Sequence, residues 1–204
     1  FIAVVTGIPL GVMAAVKQRS WLDSACRVLA IVGAAVPSHV LAPILMLIFA
    51  VQFQWLPAVG HGSFQNLILP AIALSFGTMA QLMRLTRSSL LEVLSQDYMR
   101  TARAKGLSEN SVVWRHGLKN SLLPVITVLG TSTGYLLGGA VIIETIFGWP
   151  GIGQFVVTGI TQRDYPVVQG FVLYVAIVFL LVNLAVDLSY RWLDPRLHFN
   201  RQAV

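Results

Sequence analysis

The chain has 204 residues, 56% hydrophobic and only 11% charged, with 14 Lys and Arg against 8 Asp and Glu for a net charge of +6. A mean hydropathy of +0.75 excludes an ordinary soluble domain, in which charged residues make up about a quarter of the chain. The basic balance does not point to nucleic acid, because the basic residues stand between apolar segments, where membrane topology accounts for them.

A hydrocarbon core about 30 Å thick takes roughly 20 mainly apolar residues per helix, and five segments fit an all-α polytopic membrane protein. The short alternating segments of a β-barrel are not the pattern here. The first segment, Phe1–Val16, carries no charge and stops at Lys17-Gln18-Arg19. The second, from Ala25 to Val51, holds Pro37 and Pro43, which predict a kinked span. Cys26 stands alone, so no intrachain disulfide forms, and it reads as a small apolar residue at a helix start. Gln52–Asn66 is a loop without Lys, Arg, Asp or Glu, and its Trp55 and Phe64 fit an interfacial aromatic belt. The third segment, Leu67–Met83, runs into a basic stretch over residues 84–121. The fourth, Leu122–Phe147, is rich in small residues, and Gly134 and Gly138, four apart, predict a close helix contact. Gly148–Tyr165, with WPGIG and DYP turn chemistry, reads as a loop, and Pro166–Val186 is the fifth segment.

Charge sets the expected orientation. With five alternating segments, the Lys17–Arg27 linker, the basic stretch and the tail share one side, leaving only Arg163 opposite. The positive-inside rule places that side in the cytoplasm. Phe1 then falls at the outer face, and six spans with both ends inside predict one further helix and an outer loop before Phe1.

The basic stretch has its own local chemistry. Between Arg84 and Lys119 lie seven of the 14 Lys and Arg. Ser95 is a candidate cap for a first short helix, with Asp97 in its first turn and Arg100, Arg103 and Lys105 toward its end. Gly106 suits a left-handed C′ position. Ser108 then caps a second helix with Glu109 in its first turn, running through Arg115, His116 and Lys119 toward Pro124, where a kink is expected. Ala102, Ala104 and Gly106 keep part of the surface small for a close-packing partner. A plain basic linker touching anionic lipid needs none of these caps, so the stretch reads as a protein-docking element.

DYMRTARAKGLSENSVVWRHGLKNSLLP resembles the cytoplasmic EAA-type loop of ABC-importer permeases of the dipeptide/oligopeptide/nickel family. The resemblance continues through GGAVIIETIFGWPGIG at 138–153, RDYPVVQG at 163–170 and LVNLAVDLSYRWLDPRL at 181–197. It implies a type I importer permease fold in a single transmembrane domain over 1–204, with the two-helix coupling loop at 84–121 and a bacterial or archaeal cytoplasmic membrane as its location. The same resemblance implies that Asp97, Tyr98, Arg100, Thr101, Ala102, Arg103, Ala104, Lys105, Gly106, Leu107, His116 and Asn120 couple to an ATPase subunit. It further implies two cytoplasmic ATPase subunits, a second related permease and an external substrate-binding protein as partners, in contact with membrane lipid. The cargo implied is a di- or oligopeptide, or a related small solute such as nickel. The motif departs from the general EAA pattern in lacking the opening acid and in its longer Gly106-to-Pro124 interval, both shared by the peptide branch.

No phosphate-cradling loop is present: GWPGIG has no following Lys and carries Pro. The expectation is a translocation subunit with no catalytic residue, with ATP and Mg bound by partner subunits. His39, His61 and His198 lack metal-ligand spacing, so no metal site is expected. Glu144, near the outer end of the fourth segment, either faces a cavity or caps locally. Asn183 is a candidate cross-helix bond, and Asp187 a partner for Arg191 one turn on. The alternative function is an ion-coupled secondary transporter or channel using Glu144 and Asp187.

Overall fold

The computed structural model of the chain describes residues 1–193, with side chains through Tyr190. Helix α1, Ile2–Val16, packs along α4, Phe64–Leu94. Gly7 and Gly11 make that approach close: a Cβ on Gly7 would lie 2.7 Å from the Met79 carbonyl oxygen, and one on Gly11 2.6 Å from that of Met83. Helix α2, Trp21–Ala35, begins where the Ser20 hydroxyl accepts the Asp23 N–H. Pro37 holds the preceding Val36 extended, and the chain turns through 106° into α3, Ser38–Gln52, whose second half is a π-helix over Met46–Gln52. The kink expected inside one span is thus a full break at Val36–Pro37, while Pro43 is absorbed within α3.

α4 is longer than its apolar stretch. Its 31 residues extend about 46 Å, beyond a hydrocarbon core of about 30 Å, and carry Arg84 and Arg87 on a regular helix rather than in a loop. A short helix, α5, Asp97–Ala104, follows. Next comes α6, Glu109–Phe147, 39 residues containing a π-helical turn at Val112–Gly117. Pro124 does not break it. The irregularity sits earlier, at the π turn, and the helix runs on through the proline. Residues 148–165, expected as a loop, hold α7, Ile152–Thr161. GWPG supplies only the turn before it, with Gly148 left-handed. Helix α8, Tyr165–Leu193, closes the described part. Arg191 and His198, named above, lie outside the residues whose side chains are described.

Each of the five apolar segments is helical. α4, α6 and α8 are long and apolar enough to cross a membrane, and the bent α2–α3 pair makes a fourth span if counted as one. α1 is a shorter apolar helix. The core is thin and built on α4, which packs against α1, α2, α3 and α6. Leu69, Leu82, Met83 and Leu90 of α4 are almost fully buried. By contrast Leu173, Leu180 and Leu181 of α8 are more than half exposed, an apolar surface that suits lipid rather than water.

Candidate coupling site

Helix α5 is amphipathic. Its inner face, Met99 and Ala102, is buried against Val112 with Leu94 alongside, and full burial of a Met side chain stabilises by roughly 1.5–3 kcal/mol. Its N-terminus is not capped by Ser95, as the sequence predicts. Ser95 closes α4, its hydroxyl donating to the Glu92 carbonyl, and Gln96 takes the N-cap position of α5 without a side-chain bond. Asp97 lies in the first turn and pairs with Arg100 at 3.4 Å. The helix ends as expected: Gly106 adopts φ +81° and its N–H donates to the Arg103 carbonyl. Ser108 accepts the Ser111 N–H and starts α6.

Side-chain hydrogen bonds hold α5 to its flanks. Arg103 Nε donates to Glu109 Oε1 at 2.6 Å, and its Nη1 donates to the Leu94 carbonyl at 3.4 Å. Asn120 Nδ2 donates to the Tyr98 hydroxyl at 3.0 Å. Of the residues expected to couple, Tyr98, Arg100, Thr101, Arg103, Ala104, Lys105, Gly106, Leu107 and Asn120 are at the surface. His116 is half-buried in the π-helical turn. Ala102 is corrected: at 8% exposure it belongs to the inner face and offers no small surface to a partner. Trp114, not singled out in the sequence, is 53% exposed, as Tyr98 is to 44% and Leu107 to 40%.

The other candidates lie elsewhere. Glu144 Oε2 accepts the Gln154 N–H at 2.9 Å, so its carboxylate serves the first turn of α7. The same side chain also lines a cavity of about 200 Å³ with Leu67, Pro70 and Trp149, so the local cap and the cavity-facing position occur together. Gly134 faces Phe179 of α8, but Gly138 has nothing within 4 Å of a Cβ position. The close pair against α8 is Gly130 and Gly134, with Val186 2.9 Å from a Cβ on Gly130. Asn183 bonds its own helix, donating to the Phe179 carbonyl at 2.8 Å, rather than across helices. Among the described residues no cluster of His, Cys, Asp or Glu fits a metal.

Sequence reasoning missed Asp23. Its carboxylate is fully buried between α2 and α4, where it accepts Arg87 Nε at 2.6 Å and Nη2 at 2.9 Å. The Arg19 N–H also donates to Asp23 Oδ2 at 3.0 Å, fixing the turn in which Arg19 takes φ +63°. The only signal in the sequence was an acid within a basic linker.

The sequence profile of the family described as "Binding-protein-dependent transport system inner membrane component" matches residues 7–199. The chain belongs to this family. The glutathione transport system permease protein GsiC of Salmonella typhi is 45% identical over 197 residues, 97% of this chain and 64% of that protein. That of Escherichia coli strain K12 is 43% identical over the same shares. The chain thus spans less than two thirds of these curated relatives. Two structures of the MetNI methionine ABC transporter in inward-facing conformations share the fold, with TM-scores of 0.74 and 0.76, 19% and 18% identity, and coverage of 95% of this chain and 88% of theirs. As an inner membrane component with several apolar helices, this member of the family is a multi-pass membrane protein.

Proposed function

We propose that the chain is the translocation subunit of an ATP-driven importer, and that α5 with the turn at Gly106 is where a cytoplasmic ATPase docks. The observation that carries this is the α5 surface. It is a short helix buried on one face and clamped between α4 and α6, both longer than a membrane is thick. On α5 and the segment that follows it, Tyr98, Leu107 and Trp114 are exposed apolar residues and Arg100, Lys105 and Arg115 exposed basic ones, a composition suited to a protein partner. Membership of a binding-protein-dependent family supports an external binding protein and ATPase partners. Two ATPase copies, with ATP and Mg held by them, and a second related permease complete the proposed assembly. The basic side is the cytoplasmic one.

The mechanism is linkage. Motion of the ATPase shifts the permease between inward- and outward-open states only as far as α5 makes different contacts in each. Because α5 is fixed to α4 and α6, displacing it moves two spans together. The identity to glutathione permeases supports a small peptide as cargo, with nickel or another small solute the less favoured substrate.

The test is reconstitution with the co-purifying subunits. Gly106→Val should leave insertion intact while abolishing the stimulation of ATP hydrolysis by loaded binding protein. Solute uptake that persists without the ATPase subunits would overturn the proposal.

A further inference from the structure

The break between α2 and α3 opens a cavity of about 330 Å³ against α4 and α6. Its volume is within the range of small-molecule sites. Its lining mixes apolar residues such as Val36, Pro37 and Leu74 with a polar set: Ser38 of α3, Thr78, Gln81 and Arg84 of α4, and Tyr135 of α6. Thr78, Gln81 and Arg84 follow one another at helical spacing, so they share the face of α4 that the cavity sees.

Arg84 is the anomaly. Of its neighbours on α4 and α2, Arg87 hydrogen-bonds Asp23 at 2.6 Å, and Arg27 lies 3.7 Å from the same carboxylate. Among the described residues no carboxylate lies within ion-pair distance of Arg84, and no acid lines the cavity. Arg84 stands where the apolar stretch of α4 ends, and an unpaired charge there that lines a cavity is a candidate for a solute path. A second electropositive element converges on the same space. Ser38, a lining residue, is the first residue of α3, whose N-terminus carries no side-chain cap, and the unsatisfied N–H groups of a helix start favour anions.

We infer that this cavity holds the translocated solute within the membrane and that Arg84, with the first turn of α3, receives a carboxylate of it. Gln81 and the Ser38 hydroxyl supply neutral hydrogen bonds beside that charge. The inference rests on the importer reading and narrows its cargo to solutes bearing a carboxylate.

The test uses the assembled complex in nanodiscs, carrying Cys26→Ser and Tyr135→Cys. The introduced thiol is labelled with an anionic or a cationic methanethiosulfonate, and the product is read on this chain by mass. The anionic reagent should be favoured, and adding Arg84→Gln should lower the anionic-to-cationic rate ratio about fivefold, the order a single nearby charge produces even when screened by water. Arg84→Lys should keep most of the preference. Tri-alanine should slow labelling, its C-terminal amide should not, and Arg84→Gln should erase the difference. A ratio indifferent to Arg84→Gln, or peptide and amide protecting equally, overturns the inference. So does a ratio that follows the anionic lipid content of the nanodisc and ignores the peptide, which makes Arg84 a headgroup contact. Failure of the importer reading looks different: the wild-type complex then shows no ATP-driven uptake, whatever the cavity binds.

Discussion

Arg87 and Asp23 form a bidentate ion pair, at 2.6 and 2.9 Å, that joins the start of α2 to the C-terminal half of α4. The fork geometry of the guanidinium matches both carboxylate oxygens, and Asp23 also holds the Arg19 N–H of the α1–α2 turn. One buried acid therefore ties three elements together on the helix that leads into α5.

Removing one partner leaves the other buried charge without compensation. Breaking such a pair costs roughly 3–5 kcal/mol, and Asp23→Asn should fall at the lower end because the Arg87 side chain keeps 21% of its surface exposed. Arg87→Lys should recover only part of the loss, since an ammonium cannot repeat the two-pronged contact. The double variant Asp23→Asn, Arg87→Gln should be milder than the sum of its singles. Thermal unfolding of the detergent-solubilised complex measures all three. Additive losses would mean the pair does not act as a unit.

The pair Arg103–Glu109 is a contrasting case. At 2.6 Å it is as short as the Asp23–Arg87 contact, but its side chains are 37% and 66% exposed. Exposed pairs contribute about 0.2–1 kcal/mol. Glu109→Gln should therefore shift stability by less than about 1 kcal/mol. If it also lowers the stimulation of ATP hydrolysis, the pair positions α5 rather than stabilising the fold. A large drop in melting temperature would assign it the structural role instead.

The contrast explains what was legible in the sequence. Apolar runs long enough to span a bilayer, and Gly106 and Ser108 as punctuation, are local signals, and the structure follows them. The α4 extension to Leu94 was hidden because a helix leaving the membrane turns polar without ceasing to be a helix. α7 was hidden because turn residues at its start, GWPG, masked the ten helical residues after them. The Asp23–Arg87 pair spans 64 positions, and no local pattern encodes such a distance. Ala102 was misread for a related reason: a small residue on a short helix is equally suited to either face, and only the position of Val112 decides.

Glu144 offers a test of function against structure. Its carboxylate accepts the Gln154 N–H, and loss of a cap of this kind costs typically about 1 kcal/mol. Glu144→Gln should keep transport close to the wild-type rate with no change in its dependence on proton or sodium gradients. Uptake that becomes gradient-independent only in the variant would restore the ion-coupled alternative.

The glycines should divide by what surrounds them. A Cβ on Gly153 would lie 2.6 Å from the Val141 Cα, part of the α6 backbone that cannot yield. Gly11 meets the Met83 carbonyl at 2.6 Å in the same way. Overpacking of this type costs typically about 1–3 kcal/mol, because the helices must separate and lose their contacts along the seam. Gly153→Ala should loosen α7 from α6, and Gly11→Ala should loosen α1 from α4. Gly138→Ala meets nothing within 4 Å and should be neutral or slightly stabilising, since alanine has the higher helix propensity. Melting temperatures of the three variants in one detergent rank them. A Gly138→Ala variant as unstable as Gly11→Ala would place an unseen helix against that face of α6.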